Sequence, residues 1–245
     1  TEVVRPLLSG KEAQVYLVIS EGEERVAKVY KEANQRTFKH RAVYAEGRTV
    51  RNTRDKRAMA KRSRHGREQD EAAWRSAEVD MIYRLRDAGV RVPTPYTFLD
   101  GVLVMELIKD EHGEPAPRLC EVDMTQEEAN AVFDQLIREV VKMLCADVVH
   151  GDLSDFNVLM TPTGPVVIDF PQALDAAGNQ AAAEILTRDV ANLNRFLLGY
   201  GRPTRPLQHA REMWALYVAS QLLPDTQLTG RHKGSERVVD VKGLR

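Results

Sequence analysis

The sequence predicts an α+β protein with a β-rich first part and a mainly helical second part. Apolar runs of strand length, Gln14–Ser20 (QVYLVIS), Arg25–Tyr30 (RVAKVY) and Val102–Ile108 (VLVMELI), all fall in the first 108 residues. Longer segments with helical periodicity dominate the remainder of the chain. Between the two, Lys109 to Pro117 is polar and holds Gly113, Pro115 and Pro117, as at a boundary between lobes. A chain of 245 residues has room for two compact lobes without staples. The expected division is an N-lobe over about 1–108, a C-lobe over about 109–224 and a polar tail over about 225–245, within a single domain.

Composition narrows the function classes. Apolar and charged fractions of 43% and 29% are those of an ordinary globular protein. A net charge of −1 gives the whole molecule no bias toward nucleic acid or an anionic membrane. Cys120 and Cys145 form neither a C-x-x-C pair nor part of a metal-ligand cluster, which points to a reducing compartment. No apolar run approaches a membrane span, and the N-terminus lacks a signal-peptide apolar region. A soluble cytoplasmic protein without a membrane partner is expected.

Leu7 to Lys11 (LLSGK) leads into the first strand, and Ser9 and Gly10 there form either a phosphate-covering loop or a plain turn. There is no G-x-x-x-x-G-K-[ST] match. The turn-like Glu21 to Glu24 makes the first two runs a hairpin, whose alternation puts Lys28 on one face with Val26 and Tyr30. A lysine on an apolar face snorkels or finds an anion. From Arg36 to Arg67, twelve Lys or Arg stand against Glu46 and Asp55, leaving the remainder of the chain strongly acidic. Three readings of that stretch stay open: a solvated insert, a contact for RNA or an acidic partner, or a regulatory segment offering Thr37, Thr49, Thr53 and Ser63. Glu71 to Leu85 reads as a helix, with Ala73, Ala77, Met81 and Leu85 recurring every four residues. Val92-Pro93-Thr94-Pro95 is an extended connector. At the end of Val102–Ile108 the Glu106 carbonyl and the Ile108 N–H can meet an adenine edge beside Met105; an ordinary core strand explains the side chains equally well. Thr125 to Glu128 is a capping box opening a helix whose Ala129, Val132, Phe133, Leu136, Ile137, Val140 and Leu144 share one face. Further helices are expected over Glu184–Leu198 and Gln208–Leu223, with Asp189 a loop brace or, on pattern alone, more simply a surface acid.

The chemistry concentrates in Val148 to Phe170, VVHGDLSDFNVLMTPTGPVVIDF. Gly151 permits a tight path that turns Asp152 toward a cleft, where it can orient a hydroxyl or accept its proton. A hairpin of Val158–Met160 and Val166–Ile168 brings Asn157 and Asp169 to neighbouring ends, and one amide oxygen with one carboxylate suits magnesium completed by water and phosphate. Asp, Asn five residues later and a strand ending in Asp parallel the catalytic loop and metal-binding Asp of protein kinases. In that pattern the strand lysine pairs with a helix Glu and the nucleotide phosphates, and Glu78 is the candidate, a solvated helix acid being its plain alternative. Each of these residues singly is a common turn former or surface acid.

The ordered set resembles the RIO family of atypical serine/threonine protein kinases. It comprises SGKEAQVY, VAKVY, the basic insert, WRSAEVDMIYRL, VPTPY, VLVMELI, HGDLSDFNVLM, VVIDFPQ and RDVANLNRF, over about residues 7 to 198. The resemblance implies a two-lobed protein-kinase-like fold with ATP between the lobes. Ser9 and Lys11 would border the phosphates, Lys28 would pair with Glu78, Asp152 would act as base, and Asn157 and Asp169 would bind magnesium, with manganese as the alternative ion. It also implies autophosphorylation or an ATPase cycle in which Asp169 becomes phosphorylated. The D-F-G, A-P-E and long activation segment of ordinary protein kinases are missing, as in RIO proteins. Two other functions compete: a small-molecule phosphotransferase of the aminoglycoside or choline kinase type, and an ATP-gated RNA- or ribosome-binding module using residues 36–67.

Overall fold

The computed structural model describes residues 1–10, 13–30, 78–201 and 206–231. Lys11, the basic stretch 36–67 and the last residues of the tail lie outside the described residues. Five strands, β1 (Glu2–Ser9), β2 (Ala13–Ser20), β3 (Glu23–Tyr30), β4 (Pro95–Leu99) and β5 (Val102–Glu106), form one antiparallel sheet in the order β1-β2-β3-β5-β4. Glu21 and Gly22 join β2 to β3 with φ of 56° and 81°, the paired left-handed conformations whose twist suits a two-residue hairpin.

Three strands depart from the sequence expectation. β1 covers the segment read as a lead-in, because an exposed edge strand with Pro6 and two register shifts shows no apolar alternation. β4 begins at Pro95, where the extended connector was expected to end, since proline is tolerated at the first residue of an edge strand. β5 stops at Glu106, two residues early, because the chain leaves β3 and pairs instead with 115–116: Lys109 bridges Pro115, and the Ala116 N–H donates to the Ile108 carbonyl at 2.9 Å.

The helix α1 is described over 78–87, with Val79, Ile82 and Leu85 buried. α2 (Gln126–Cys145) opens on the expected capping box: Thr125 Oγ1 accepts the Glu128 N–H at 3.3 Å, and the Glu128 carboxylate accepts the Thr125 N–H at 2.7 Å. Every residue of its predicted apolar face is buried. Short strands β6 (Val148–Val149) and β9 (Leu174–Asp175) pair with each other, and β7 (Val158–Thr161) with β8 (Gly164–Val167). α3 (Ala182–Leu198) and α4 (Pro206–Val218) complete the helical part. α4 ends five residues before the expected Leu223, as Ser220 takes the left-handed conformation (φ 56°) and turns the chain back over α2. One apolar cluster joins Leu103 of the sheet, Ile82 and Leu85 of α1, and the inner faces of α2 and α3 to Val148, Val149 and Phe170. The sheet and the loop after β6 are thereby held against a common support. Among the described residues, no helix is long and apolar enough to cross a membrane.

Gly164 closes the β7–β8 hairpin at φ 115°, where an added Cβ would lie 2.8 Å from Arg91 Nη1 and closer still to Gln135 Oε1. We expect Gly164→Ala to destabilise the protein by about 1–3 kcal/mol. A lowered chemical-denaturation midpoint checks this; an unchanged midpoint contradicts it.

Candidate active site

Alternation along β3 turns Val26, Lys28 and Tyr30 to one side, and Lys28 is only 7% exposed. Its ammonium does not snorkel. Nζ lies 2.7 Å from Glu78 Oε1 and 2.7 Å from Asp169 Oδ1, while the Tyr30 hydroxyl donates to Glu78 Oε2 at 2.7 Å. Burial lowers the Lys28 pKa, but Asp169 and Glu78 outweigh this and hold it well above the ordinary lysine value. The Tyr30 phenol is pushed up by burial and by Glu78, against the pull of Lys28, so it stays a donor.

Beyond β6 the chain makes a tight loop at Gly151 (φ 84°). The Asp152 N–H donates to His150 Nδ1 at 3.2 Å, so the proton of the imidazole sits on Nε2, which donates to the Ile168 carbonyl at 3.0 Å. Burial keeps this histidine neutral, its pKa pushed down to about 4. Asp189 is fully buried, and its carboxylate accepts the N–H of Gly151 at 2.8 Å and of Leu153 at 3.2 Å, bracketing Asp152. It is therefore a loop brace and not the surface acid that its sequence pattern favoured: Leu186, Val190 and Leu193 face the core on the same side of α3 and carry Asp189 inward. Arg188 donates to the Gly151 carbonyl and Asn192 Nδ2 to that of Leu153. Asp152 itself faces solvent at the cleft. Partial burial and then the neighbouring Asp169 raise its pKa, with Arg188 opposing.

In the β7–β8 hairpin Val158 pairs with Val167, and the Ile168 N–H donates to the Asn157 carbonyl at 3.0 Å, which sets Asn157 beside Asp169. Asn157 spends its amide nitrogen on the Asp152 carbonyl at 2.8 Å, so Oδ1 is the atom left to meet a cation. Asp169 adopts φ 70°, a left-handed conformation that aspartate tolerates better than most residues. Burial raises its pKa, but the Lys28 ammonium more than offsets this and keeps the carboxyl ionised. One amide oxygen and one ionised carboxylate fit a magnesium ion whose remaining shell is phosphate and water. Among the described residues no cluster of three or more His, Cys, Asp or Glu offers an all-protein metal cage.

Lys28, Asp152, Asn157 and Asp169 line a cleft of about 860 Å³ together with Gly10, Met105, Glu106 and Ile108. Glu78 stands behind Lys28. The Ile108 carbonyl is taken by Ala116, and its N–H has no partner among the described residues. Glu106 ties its carboxylate to Thr94, to N–H at 3.0 Å and to Oγ1 at 2.6 Å. Ser9 is exposed at the end of β1 and does not line the cleft, and the Gly10 N–H donates to the Ala13 carbonyl at 2.9 Å instead of facing an anion. Sequence reasoning missed Arg118, which enters the cleft and lowers the Asp169 pKa further, because it stands alone in an irregular segment. It also passed over the Tyr30 hydroxyl, although its place two residues from Lys28 was a readable signal.

A model of the RIO domain matches residues 14–209, and the chain belongs to that family. It is 34% identical over 198 residues to the RIO-type serine/threonine-protein kinase Rio1 of Haloferax volcanii, covering 80% of this chain and 63% of that one. Against the serine/threonine-protein kinase RIO1 of Homo sapiens it is 32% identical over 206 residues, covering 81% and 34%. The chain thus spans less than two thirds of these relatives. Among solved structures it is similar to the Rio2 kinase of Chaetomium thermophilum, solved as an ADP/Mg2+-phosphoaspartate complex, with a TM-score of 0.57 at 20% identity over 86% of this chain and 62% of that one. The fold is therefore two-lobed and protein-kinase-like, as the sequence predicted.

Burial lifts the Asp189 pKa to about 7 against the two N–H donors that oppose it. A carboxyl whose folded pKa exceeds its unfolded value stabilises fully below the latter and loses that contribution as pH rises through the former. We expect the unaltered protein to lose stability relative to Asp189→Asn between about pH 4 and pH 7, by at most about 1.4 kcal/mol per pH unit. Denaturation at a series of pH values checks this; parallel curves for the two proteins contradict it.

Proposed function

We propose that the chain is an ATP- and magnesium-dependent phosphotransferase, acting as a RIO-type serine/threonine protein kinase, as an ATPase, or as both. The observation that carries this is the buried Lys28 held between Glu78 and Asp169 at the cleft that also holds Asp152 and Asn157. The names of the relatives and the nucleotide in the Rio2 complex support the same reading.

In this reading the adenine edge meets the Ile108 N–H and the Glu106 carbonyl, with Met105 at the pocket wall, and the phosphates run toward Lys28. Asn157 and Asp169 would hold magnesium, or manganese in its place, and the ion would supply positive charge against the phosphates there. Lys28 releases Asp169 and turns its protons to phosphate oxygens while Glu78 retains it. Asp152 orients the acceptor hydroxyl and takes its proton as the new P–O bond forms, and ADP leaves. The acceptor is a serine or threonine of a protein, this chain included; in the ATPase cycle it is the Asp169 carboxylate, later cleared by water. Residues 36–67 supply a contact for RNA or an acidic partner. Two unbridged thiols, Cys120 and Cys145, suit the cytoplasm.

The test is incubation with γ-labelled ATP and magnesium, following label into protein, phosphate and a small-molecule panel. We expect Asp152→Asn to lower transfer at least about 100-fold while ATP still binds. Equal turnover removes Asp152 from the mechanism. Acid-stable protein label identifies the kinase, acid-labile label with phosphate release the Asp169 cycle, and label confined to a small molecule overturns the protein-kinase reading.

A further inference from the structure

Arg84 lies six residues beyond Glu78 on α1 and faces away from the nucleotide cleft. Its guanidinium forks onto two carboxylates: Nη2 to Asp147 Oδ2 at 3.1 Å and Nη1 to Asp175 Oδ2 at 3.3 Å. Both acceptors are already anchored by their other oxygen. Asp147 Oδ1 receives the Tyr217 hydroxyl at 2.6 Å, and Asp175 Oδ1 receives the N–H of Ala177 at 2.9 Å and of Gly178 at 3.3 Å. Burial and Asp147 hold the Tyr217 phenol well above its ordinary pKa, so it remains a donor. Asp147 occupies the turn between α2 and β6, in a left-handed conformation (φ 57°), and its carbonyl accepts the Ala176 N–H at 2.8 Å. Asp175 ends β9 and pairs with Val148 of β6. β6 leads directly into His150, Gly151 and Asp152.

One helix therefore holds Lys28 through Glu78 and grips the root of the Asp152 loop through Arg84. We propose that Arg84 is a positioning residue that fixes the Glu78 helix to the β6–β9 pair, so that Lys28 stays with Glu78 when Asp169 turns to a metal ion. The proposal rests on the phosphotransferase reading for its consequence and on the ion-pair geometry for its cause. Each pair is about two-fifths exposed and singly weak, but acceptors fixed in advance spare most of the ordering entropy that usually cancels a surface ion pair. The guanidinium offers a separate nitrogen to each carboxylate, Nη2 to Asp147 and Nη1 to Asp175.

The test measures magnesium–ATP affinity with a fluorescent nucleotide, steady-state kinetics, and nucleotide-free amide exchange over residues 148–153, for the unaltered protein, Arg84→Gln, Glu78→Gln and the double variant. Arg84→Gln is expected to weaken nucleotide binding about three- to tenfold, to raise KM for ATP more than it lowers kcat, and to speed exchange of the 148–153 amides without lowering the global melting temperature to match. In the Glu78→Gln background the same change is expected to cost no further affinity, because Arg84 acts through Glu78. Equal fold-losses in the two backgrounds, or unaltered exchange and affinity in Arg84→Gln, overturn the proposal. Failure of the unaltered chain to bind ATP overturns the phosphotransferase reading instead, and the exchange measurement still decides whether Arg84 grips the loop.

Discussion

A buried lysine shared by two carboxylates organises this molecule. Removing an ammonium from water costs several kcal/mol even after relaxation, and only well-placed counter-charges offset that. Here they come from opposite sides: Glu78 from the helix packed on the sheet, Asp169 from the hairpin of the helical part. The two pairs differ in kind. The Glu78 side chain is 2% exposed and, among the described residues, is met by Lys28 and the Tyr30 hydroxyl, so breaking that pair strands a charge in the core at about 3–5 kcal/mol. The Asp169 side chain is 43% exposed and opens on the cleft, where water or a cation can replace the ammonium. The first pair is thus closed to solvent and the second open to it, an asymmetry that suits phosphoryl transfer by positioning and charge neutralisation.

The Asp152 loop obeys the same economy of hydrogen bonding. It runs between buried groups with fixed partners: a neutral His150 that accepts from the Asp152 N–H and donates to the Ile168 carbonyl, an Asp189 that accepts from Gly151 and Leu153, and a backbone carbonyl met by Arg188. These leave Asp152 as the acid that still faces the cleft on the loop, flanked by Asn157, whose amide is already oriented by the Asp152 carbonyl. The chain has no room after Phe170 for a long activation segment, since β9 comes within a few residues and pairs back onto β6.

Much of this was legible in the amino-acid order. Strand alternation placed Lys28 on an apolar face, the capping box opened α2 at Thr125, and the hairpin spacing set Asn157 beside Asp169, because each depends on neighbours close in sequence. What stayed hidden depends on distant partners. β1 and β4 are edge strands whose exposed faces carry no alternation. Asp189 read as a surface acid because its two N–H donors lie 36 and 38 residues away. The fork of Arg84 spans 63 and 91 residues of chain, and nothing local to Tyr83-Arg84-Leu85 announces it. The Lys28–Glu78 pair was reachable only through the pattern of a family, not through periodicity.

The most direct measurement of the central claim is the structure of this chain with magnesium and a non-hydrolysable ATP analogue. The account predicts Lys28 still bonded to Glu78 and now turned to phosphate oxygens, with Asp169 and Asn157 on the metal. Lys28 still bonded to Asp169 with nucleotide in the cleft, or Lys28 parted from Glu78, would contradict it.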